Sequence, residues 1–361
     1  MVKTVGILTA GGDCPGLNAV IRGIVKVGIN KYGIKAVGFK DGYRGLVLNS
    51  YRELCLGDVS GILDRGGTIL ATSNKDNPFK FILNYSENSE PQDMSDVCIQ
   101  NLSRLGVDCL ITIGGDGTLT SARDFARKGL NVIGVPKTID NDLSATDMTF
   151  GFKTAVRTAT EALDKLHSTA ESHHRVMILE VMGRYAGWIA LESGIAGGAD
   201  AIIIPEIPYD VSKICDKVIE RNRNGKNFSI IVVAEGAKPL GGDISIGKVL
   251  KDSPDPIRLG GAGDRLGNEI EKLIGIETRV TVLGHLQRGG TPASDDRILS
   301  TRYGVKAIEL AMEEKFGRMV SLSGNEITDV SLEDAVGSLR NVSLDNGLIA
   351  TAKALGITFG D

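Results

Sequence analysis

Short apolar runs rich in Val, Ile and Leu recur along this chain, and between them the apolar residues return every three or four positions. The runs predict strands over Thr4–Thr9, Ile34–Phe39, Asp108–Ile113, Asn131–Val135, Arg175–Val181, Ala201–Ile204, Ser229–Ala234 and Thr278–Val282. The three-to-four spacing predicts helices over Leu17–Ile29, Val97–Leu105, Ser121–Lys128 and Thr154–His167. A strand with one wet face alternates apolar and polar residues. These runs do not alternate, so both faces should be covered, as in a parallel sheet between helices. The pattern therefore predicts an α/β fold of two Rossmann-like, three-layer lobes with mostly parallel sheets. One stretch breaks the rhythm: residues 236–268 are rich in Gly, Pro and Asp and read as a long loop, functional or disordered.

Composition narrows the class. The 361 residues are 42% hydrophobic, enough for two cores, and the 46 glycines sit in short groups between apolar runs, where strand-to-helix turns need them. The formal charge is −4 with no long basic run, which sets aside nucleic acid and anionic membrane as main partners. Five cysteines form no CxxC pair, and Cys109 falls in a strand-like run as ordinary core. A reduced, cytoplasmic protein is expected. The first apolar run is too short for a secretory leader, and no window reaches the roughly 18 apolar residues of a spanning helix.

Candidate chemistry gathers at the turns. Residues 3–19, KTVGILTAGGDCPGLNA, and 107–123, VDCLITIGGDGTLTSAR, share one plan: a strand, then Gly-Gly-Asp, then the start of a helix. Glycines let the backbone approach a ligand, and a helix N-terminus offers unpaired N–H groups, a combination suited to phosphate. Asp13 and Asp116 would repel phosphate unless a cation stood between them, and Mg²⁺ meets that need. Alternatively, each Asp simply caps its helix. The next turn, GVPKTIDNDL over 134–143, adds Lys137, Thr138, Asp140 and Asp142, a setting for a base beside a phosphate-binding cation. In extended chain Asp140 and Asp142 would point the same way; otherwise they belong to an ordinary Asx-rich turn. Further on, Arg175, Arg184, Arg279, His285 and Arg288 stand at strand ends and read as a focused anion site.

Taken together, TAGGDCPGLNAVIRG, IGGDGTL, PKTIDNDL, VMGRYAGWIA, PE at 205–206, AEG at 234–236 and GHLQRGGTP resemble the phosphofructokinase family, in order and across nearly the whole chain. The resemblance implies phosphoryl transfer to the 1-hydroxyl of fructose 6-phosphate, with the active site in the cleft between the lobes. It implies a larger, donor- and Mg-binding lobe of residues 1–151 plus about 287–335, and a smaller sugar-phosphate lobe of 152–286 plus about 336–361. It makes Asp140 the catalytic base, with Thr138 and Asp142 beside it, Lys137 and the Gly12 N–H on the phosphoryl path, and Arg184 on the transferring group. Asp116 falls at the metal, and Asn74, Lys75, Gly115, Gly117, Thr118 and Ser121 at the donor. Met182, Gly183, Glu235, His285 and Arg288 match sugar-phosphate contacts. Arg175 and Arg279 match arginines that reach the 6-phosphate from a neighbouring subunit, which implies a homodimer or homotetramer.

The donor signals are mixed. Gly117 resembles the ATP users, because a carboxylate there would occupy the nucleotide's space and repel its α-phosphate. Lys137 points the other way, because short bacterial ATP users tend to have glycine there, although a group of ATP users that this sequence resembles combines glycine with lysine. Steric exclusion is the harder constraint, so ATP is expected, with pyrophosphate as the alternative. Asn74 stands where the family usually has an arginine. A non-catalytic sugar-phosphate sensor would lack the base or the phosphate-path arginine, and both are present. An oxidoreductase would want a GxGxxG turn, which is absent. GGDGT alone also fits NAD or lipid kinases, but segments 182–184 and 284–290 argue for a sugar phosphate.

Overall fold

The computed structural model describes residues 2–83, 90–249 and 257–361, and everything structural below refers to these. In chain order the strands are β1 Thr4–Thr9, β2 Lys35–Phe39, β3 Tyr51–Leu54, β4 Cys109–Gly114, β5 Val132–Thr138, β6 Phe150–Gly151, β7 Val176–Val181, β8 Ala201–Ile203, β9 Ser229–Ala234, β10 Ile246–Val249, β11 Ile257–Leu259, β12 Thr278–Val282, β13 Arg318–Ser323 and β14 Glu326–Ser331. The helices are α1 Leu17–Tyr32, α2 Tyr43–Val47, α3 Ser95–Arg104, α4 Asp116–Arg127, α5 Phe152–His173, α6 Trp188–Ala196, α7 Val211–Arg223, α8 Ala262–Ile274, α9 Ser294–Met312, α10 Leu332–Ala335 and α11 Gly347–Ala354.

The chain divides into two compact units. Unit one comprises Met1–Ile139, Leu143–Lys153 and Arg288–Leu339; unit two comprises Asp140–Asp142, Thr154–Gln287 and Arg340–Asp361. Among the described residues, unit one is built on a sheet of order β14-β13-β5-β4-β1-β2-β3, with β6 paired to β5. Its central pairs β1/β2, β1/β4, β4/β5 and β5/β13 are parallel, while β2/β3 and β13/β14 at the two edges are antiparallel. Every residue of β4 is buried, and β1 is buried from Val5 onward. Each such Ile or Leu contributes about 1.5–3 kcal/mol of hydrophobic stabilisation. One core cluster joins Leu8, Phe39, Tyr43, Leu110, Leu119, Phe125 and Met319. Helices α1 and α9 cross closely enough that a Cβ on Gly304 would lie 2.4 Å from the Val20 carbonyl oxygen.

Unit two is built on a fully parallel sheet of order β12-β7-β9-β8. Strands β7 and β9 are buried throughout, and Ile178, Ile203, Ile214, Ile231, Leu266 and Ile270 form the core. Glu180 is the charged residue within β7: it is 2% exposed, and its carboxylate accepts the Gly263 N–H at 2.7 Å, pinning the start of α8. Burial raises its pKa above the usual carboxylate range. The stretch 236–268 is not a bare loop. Residues 250–256 lie outside the described residues, but the rest carries the antiparallel pair β10/β11 and the first half of α8.

The α/β architecture with mostly parallel sheets agrees with the expectation from the apolar pattern. Helices α6, α7 and α9 are not among the elements that pattern predicts. Helix α6 is buried on most of its surface, so its apolar residues trace no stripe. No described helix is long and apolar enough to cross a membrane.

Candidate active site

In unit one the chemistry sits where β1, β4 and β5 end. After β1 the Ala10 N–H donates to the Ile113 carbonyl at 2.9 Å, and Gly11 turns the chain at φ 82°, a left-handed conformation that suits glycine. The Gly11 N–H donates to the Ser73 carbonyl at 2.9 Å, and Thr72 Oγ1 donates to the Gly11 carbonyl at 2.7 Å. These two bonds bring the loop bearing Asn74 and Lys75 to the Gly11–Gly12 turn. Ser73 Oγ in turn donates to Asp76, whose other oxygen pairs with Arg44 at 3.3 Å. Sequence reasoning missed this Arg44–Asp76–Ser73 brace because its members lie far apart in the chain and match no motif.

Two cations converge on Gly12. Lys137, 5% exposed at the end of β5, donates its Nζ to the Gly12 carbonyl. Arg288 packs so closely that a Cβ on residue 12 would lie 2.5 Å from its Nη1. A side chain at 12 would push that guanidinium aside, so glycine leaves the arginine room at the turn. Arg288, grouped by sequence with the sugar-phosphate contacts, thus stands in unit one against the Gly11–Gly12 turn. Thr138, half-buried, closes β5 and accepts on its carbonyl from Thr149 Oγ1 at 2.7 Å.

Neither Gly-Gly-Asp carboxylate caps its helix. The N-cap of α1 is Gly16, and that of α4 is Gly115; neither has a side-chain cap bond. Asp116 is the first residue of α4, where a negative charge suits the helix dipole. Its Oδ1 is shielded from solvent and has no hydrogen-bond partner among the described residues. A buried carboxylate oxygen in that state calls for a counter-charge. Gly117 follows with ordinary backbone angles, is exposed, and a Cβ on it would meet nothing within 4 Å. Neither backbone nor packing requires glycine at 117, although it costs a helix about 1 kcal/mol relative to Ala. Ser121 Oγ donates to the Gly117 carbonyl at 3.2 Å, and the Thr118 carbonyl accepts from Tyr43 Oη at 2.9 Å, which fixes this first turn. Cys14, beside Asp13, is buried, and burial pushes its thiol up, so it stays protonated and inert.

In unit two the segment Asp140–Asp142 does not run extended. Asn141 has φ 53°, so the period-two rule that would align the two carboxylates does not apply. At the carboxyl end of β7, Gly183 (φ 139°) makes a turn too tight for a Cβ, which would lie 2.8 Å from the Ala186 carbonyl oxygen. That turn presents Arg184, half-buried, with its guanidinium 5.4 Å from the Tyr185 ring centroid. The Met182 N–H donates to Gln287 at 3.3 Å, the Glu235 N–H to the Val181 carbonyl at 2.9 Å and the Gly236 N–H to the Gly183 carbonyl at 3.0 Å. These bonds draw the 182–184, 235–236 and 284–287 segments together, and with them Met182, Arg184, Glu235 and His285.

Arg175 and Arg279 are not part of that group. They stand at the amino ends of β7 and β12, roughly 20 Å along the strand from Met182. Both are ion-paired to Glu277, Arg175 at 2.7 Å. The five basic residues grouped by sequence therefore do not form one site in a single chain. In parallel strands the amino and carboxyl ends lie at opposite edges of the sheet, which separates Arg175 and Arg279 from Arg184 and His285.

The family model described as Phosphofructokinase matches residues 4–311. The chain belongs to the phosphofructokinase family. It is 61% identical over 363 residues to the ATP-dependent 6-phosphofructokinase 2 of Clostridium perfringens (strain 13 / Type A), covering 100% of this chain and 99% of that protein. It is 50% identical over 363 residues to the ATP-dependent 6-phosphofructokinase of Chloroflexus aurantiacus (strain ATCC 29366 / DSM 635 / J-10-fl), covering 99% and 98%. Among solved structures, Pichia pastoris phosphofructokinase in the T-state superposes with a TM-score of 0.80 at 31% identity, over 93% of this chain. This chain spans 35% of that longer one.

Proposed function

We propose that this chain transfers the terminal phosphoryl group of ATP to the 1-hydroxyl of fructose 6-phosphate, giving fructose 1,6-bisphosphate and ADP in glycolysis. The observation that carries the reading is the glycine-lined turn before α4, with the buried, unpartnered Oδ1 of Asp116, in a chain whose relatives bear the name ATP-dependent 6-phosphofructokinase. Unit one supplies the donor half. The N–H groups at the start of α4, with Gly115, Thr118 and Ser121, face the donor phosphates, and Asn74 and Lys75 flank them. The Gly12 N–H, Lys137 and Arg288 gather charge on the phosphoryl path. Unit two supplies most of the acceptor half, while Thr138 comes from the end of β5 in unit one. Asp140 takes the proton of the 1-hydroxyl as that oxygen attacks phosphorus, Thr138 and Asp142 orient it, and Arg184 stabilises charge on the transferring group. Met182, Gly183, Glu235 and His285 hold the sugar phosphate. Arg175 and Arg279, at the other edge of their sheet, serve the site of a neighbouring subunit in a homodimer or homotetramer.

Asp116 fits a divalent metal: its buried oxygen lacks a partner, and Mg²⁺ is commonly held by one or two carboxylates together with substrate phosphates. When bound, Mg²⁺ shields carboxylate from phosphate and neutralises charge on the transferring group. Chelation with EDTA is therefore expected to abolish turnover and added Mg²⁺ to restore it. Asp116→Asn is expected to raise the half-saturating Mg²⁺ concentration roughly tenfold or more. An unchanged Mg²⁺ titration in that variant would remove Asp116 from the metal site.

The donor is tested by steady-state assay of the purified protein with fructose 6-phosphate and either ATP or pyrophosphate. Turnover with pyrophosphate and none with ATP would overturn the assignment. Gly117→Asp gives a second test. A carboxylate at the second position of α4 favours the helix by about 0.3–1 kcal/mol, so the melting temperature should hold or rise. Like charge against the nucleotide should meanwhile lower kcat/KM for ATP by about 100-fold, or roughly 2.7 kcal/mol. Unchanged ATP kinetics in the folded variant would refute the steric argument.

A further inference from the structure

On the assignment of Asp140 as base, we propose that Arg340 is the positioning residue of the catalytic carboxylate, holding the Asp140–Asp142 turn against Trp188. All of these residues belong to unit two, and Arg340 lies beyond residues 4–311, the part that the family model matches. Asn141 separates the two carboxylates with φ 53° and is 3% exposed. Asn tolerates that left-handed conformation better than most residues, but the turn it makes is buried, and a buried carbonyl requires a donor. Arg340 supplies it. Its N–H donates to the Asp142 carbonyl at 2.9 Å, and its Nη1 donates to the Asn141 carbonyl at 3.4 Å.

The arginine is itself fixed. Its guanidinium lies 4.4 Å from the ring centroid of Trp188, and Trp188 Nε1–H donates to the Arg340 carbonyl at 2.9 Å. Glu206 clamps the flanks of the pair: its carboxylate accepts the Gly187 N–H at 3.0 Å and the Val342 N–H at 2.8 Å. The residue before Trp188 and the residue two after Arg340 thus share one half-buried acid, whose pKa partial burial raises. The same clamp reaches the 183–187 turn that bears Arg184. Arg340 touches the turn through backbone carbonyls, so its effect is on the direction of Asp140. That predicts a loss in kcat with little change in KM, because a small misplacement of a reacting group is costly while binding groups stay in place.

Arg340→Gln removes the stacked fork and is expected to lower kcat about 10- to 100-fold with KM for ATP and fructose 6-phosphate within about threefold. Arg340→Lys should recover part of the loss. Trp188→Leu, which removes the platform and keeps the arginine, should act in the same direction and replaces Arg340→Gln in the test if the latter does not fold. The deciding measurement is a double-mutant cycle with Asp140→Asn. If Arg340 acts through Asp140, Arg340→Gln adds no further loss in the Asp140→Asn background. Losses that multiply in full, or an unchanged kcat in folded Arg340→Gln, overturn the positioning role alone. An unchanged kcat in Asp140→Asn itself overturns the base assignment, and the proposal with it.

Discussion

Asp140→Asn is expected to lower kcat by about 10²- to 10⁴-fold while KM for both substrates stays within severalfold. The substitution keeps the shape of the side chain and removes its ability to take a proton. Asp140 is half-buried, and its Oδ1 is shielded from solvent, so water cannot readily replace it as the proton acceptor. Asp140–Asp142 is held from outside by Arg340, so the amide should fold as the carboxylate does, and the melting temperature should not move by more than a few degrees. Wild-type turnover in Asp140→Asn would end the claim that this residue is the base, whatever the family of the chain.

The other large effect belongs to Arg184. Arg184→Ala is expected to reduce kcat by about 10³- to 10⁵-fold, the range that a phosphoryl-stabilising arginine commands. Arg184→Lys should recover only a small part, because an ammonium restores charge but not the planar fork that meets two phosphoryl oxygens at once. The turn around Arg184 explains why the side chain is well placed. Gly183 allows a backbone that no other residue would tolerate without strain, and the guanidinium rests against the exposed Tyr185 ring. Single-turnover measurement with saturating fructose 6-phosphate checks the effect on the chemical step. A loss confined to KM for the sugar phosphate would make Arg184 a binding group and leave the stabilisation of the transferring group to Lys137, Arg288 and the metal.

The central strands were readable because burial on both faces writes a continuous apolar run. Thr4–Thr9 and Ser229–Ala234 appear where the pattern puts them; so does Thr278–Val282, although it is an edge strand with only its first residue buried. The edge strands β3 and β14 were not readable. They carry Tyr51-Arg52-Glu53-Leu54 and Glu326-Ile327-Thr328-Asp329-Val330-Ser331, with much of each exposed, and an antiparallel edge leaves no apolar run to see. Strand β5 runs on through Pro136, Lys137 and Thr138, three residues past its apolar run, because parallel pairing with β6 carries it forward. Arg175 and Arg184 stand one on each side of β7, as the sequence places them, but their grouping into one anion site with Arg279, His285 and Arg288 ignored that opposite strand ends lie far apart.

What the sequence alone determined is local. A glycine turn between a strand and a helix needs only residues within a few positions of one another, so both Gly-Gly-Asp turns could be read directly, whereas the bend at Asn141 could not. What the tertiary structure decided is which distant groups arrive at those turns. Lys137 reaches Gly12 across 125 positions, and Trp188 binds Arg340 across 152. Those pairings follow from sheet order, strand direction and the return of the C-terminal segment to unit two, and no short stretch of sequence encodes them. The physical reason is the same in each case: a hydrogen bond or an ion pair acts over a few ångströms of space, whatever the length of chain between its partners.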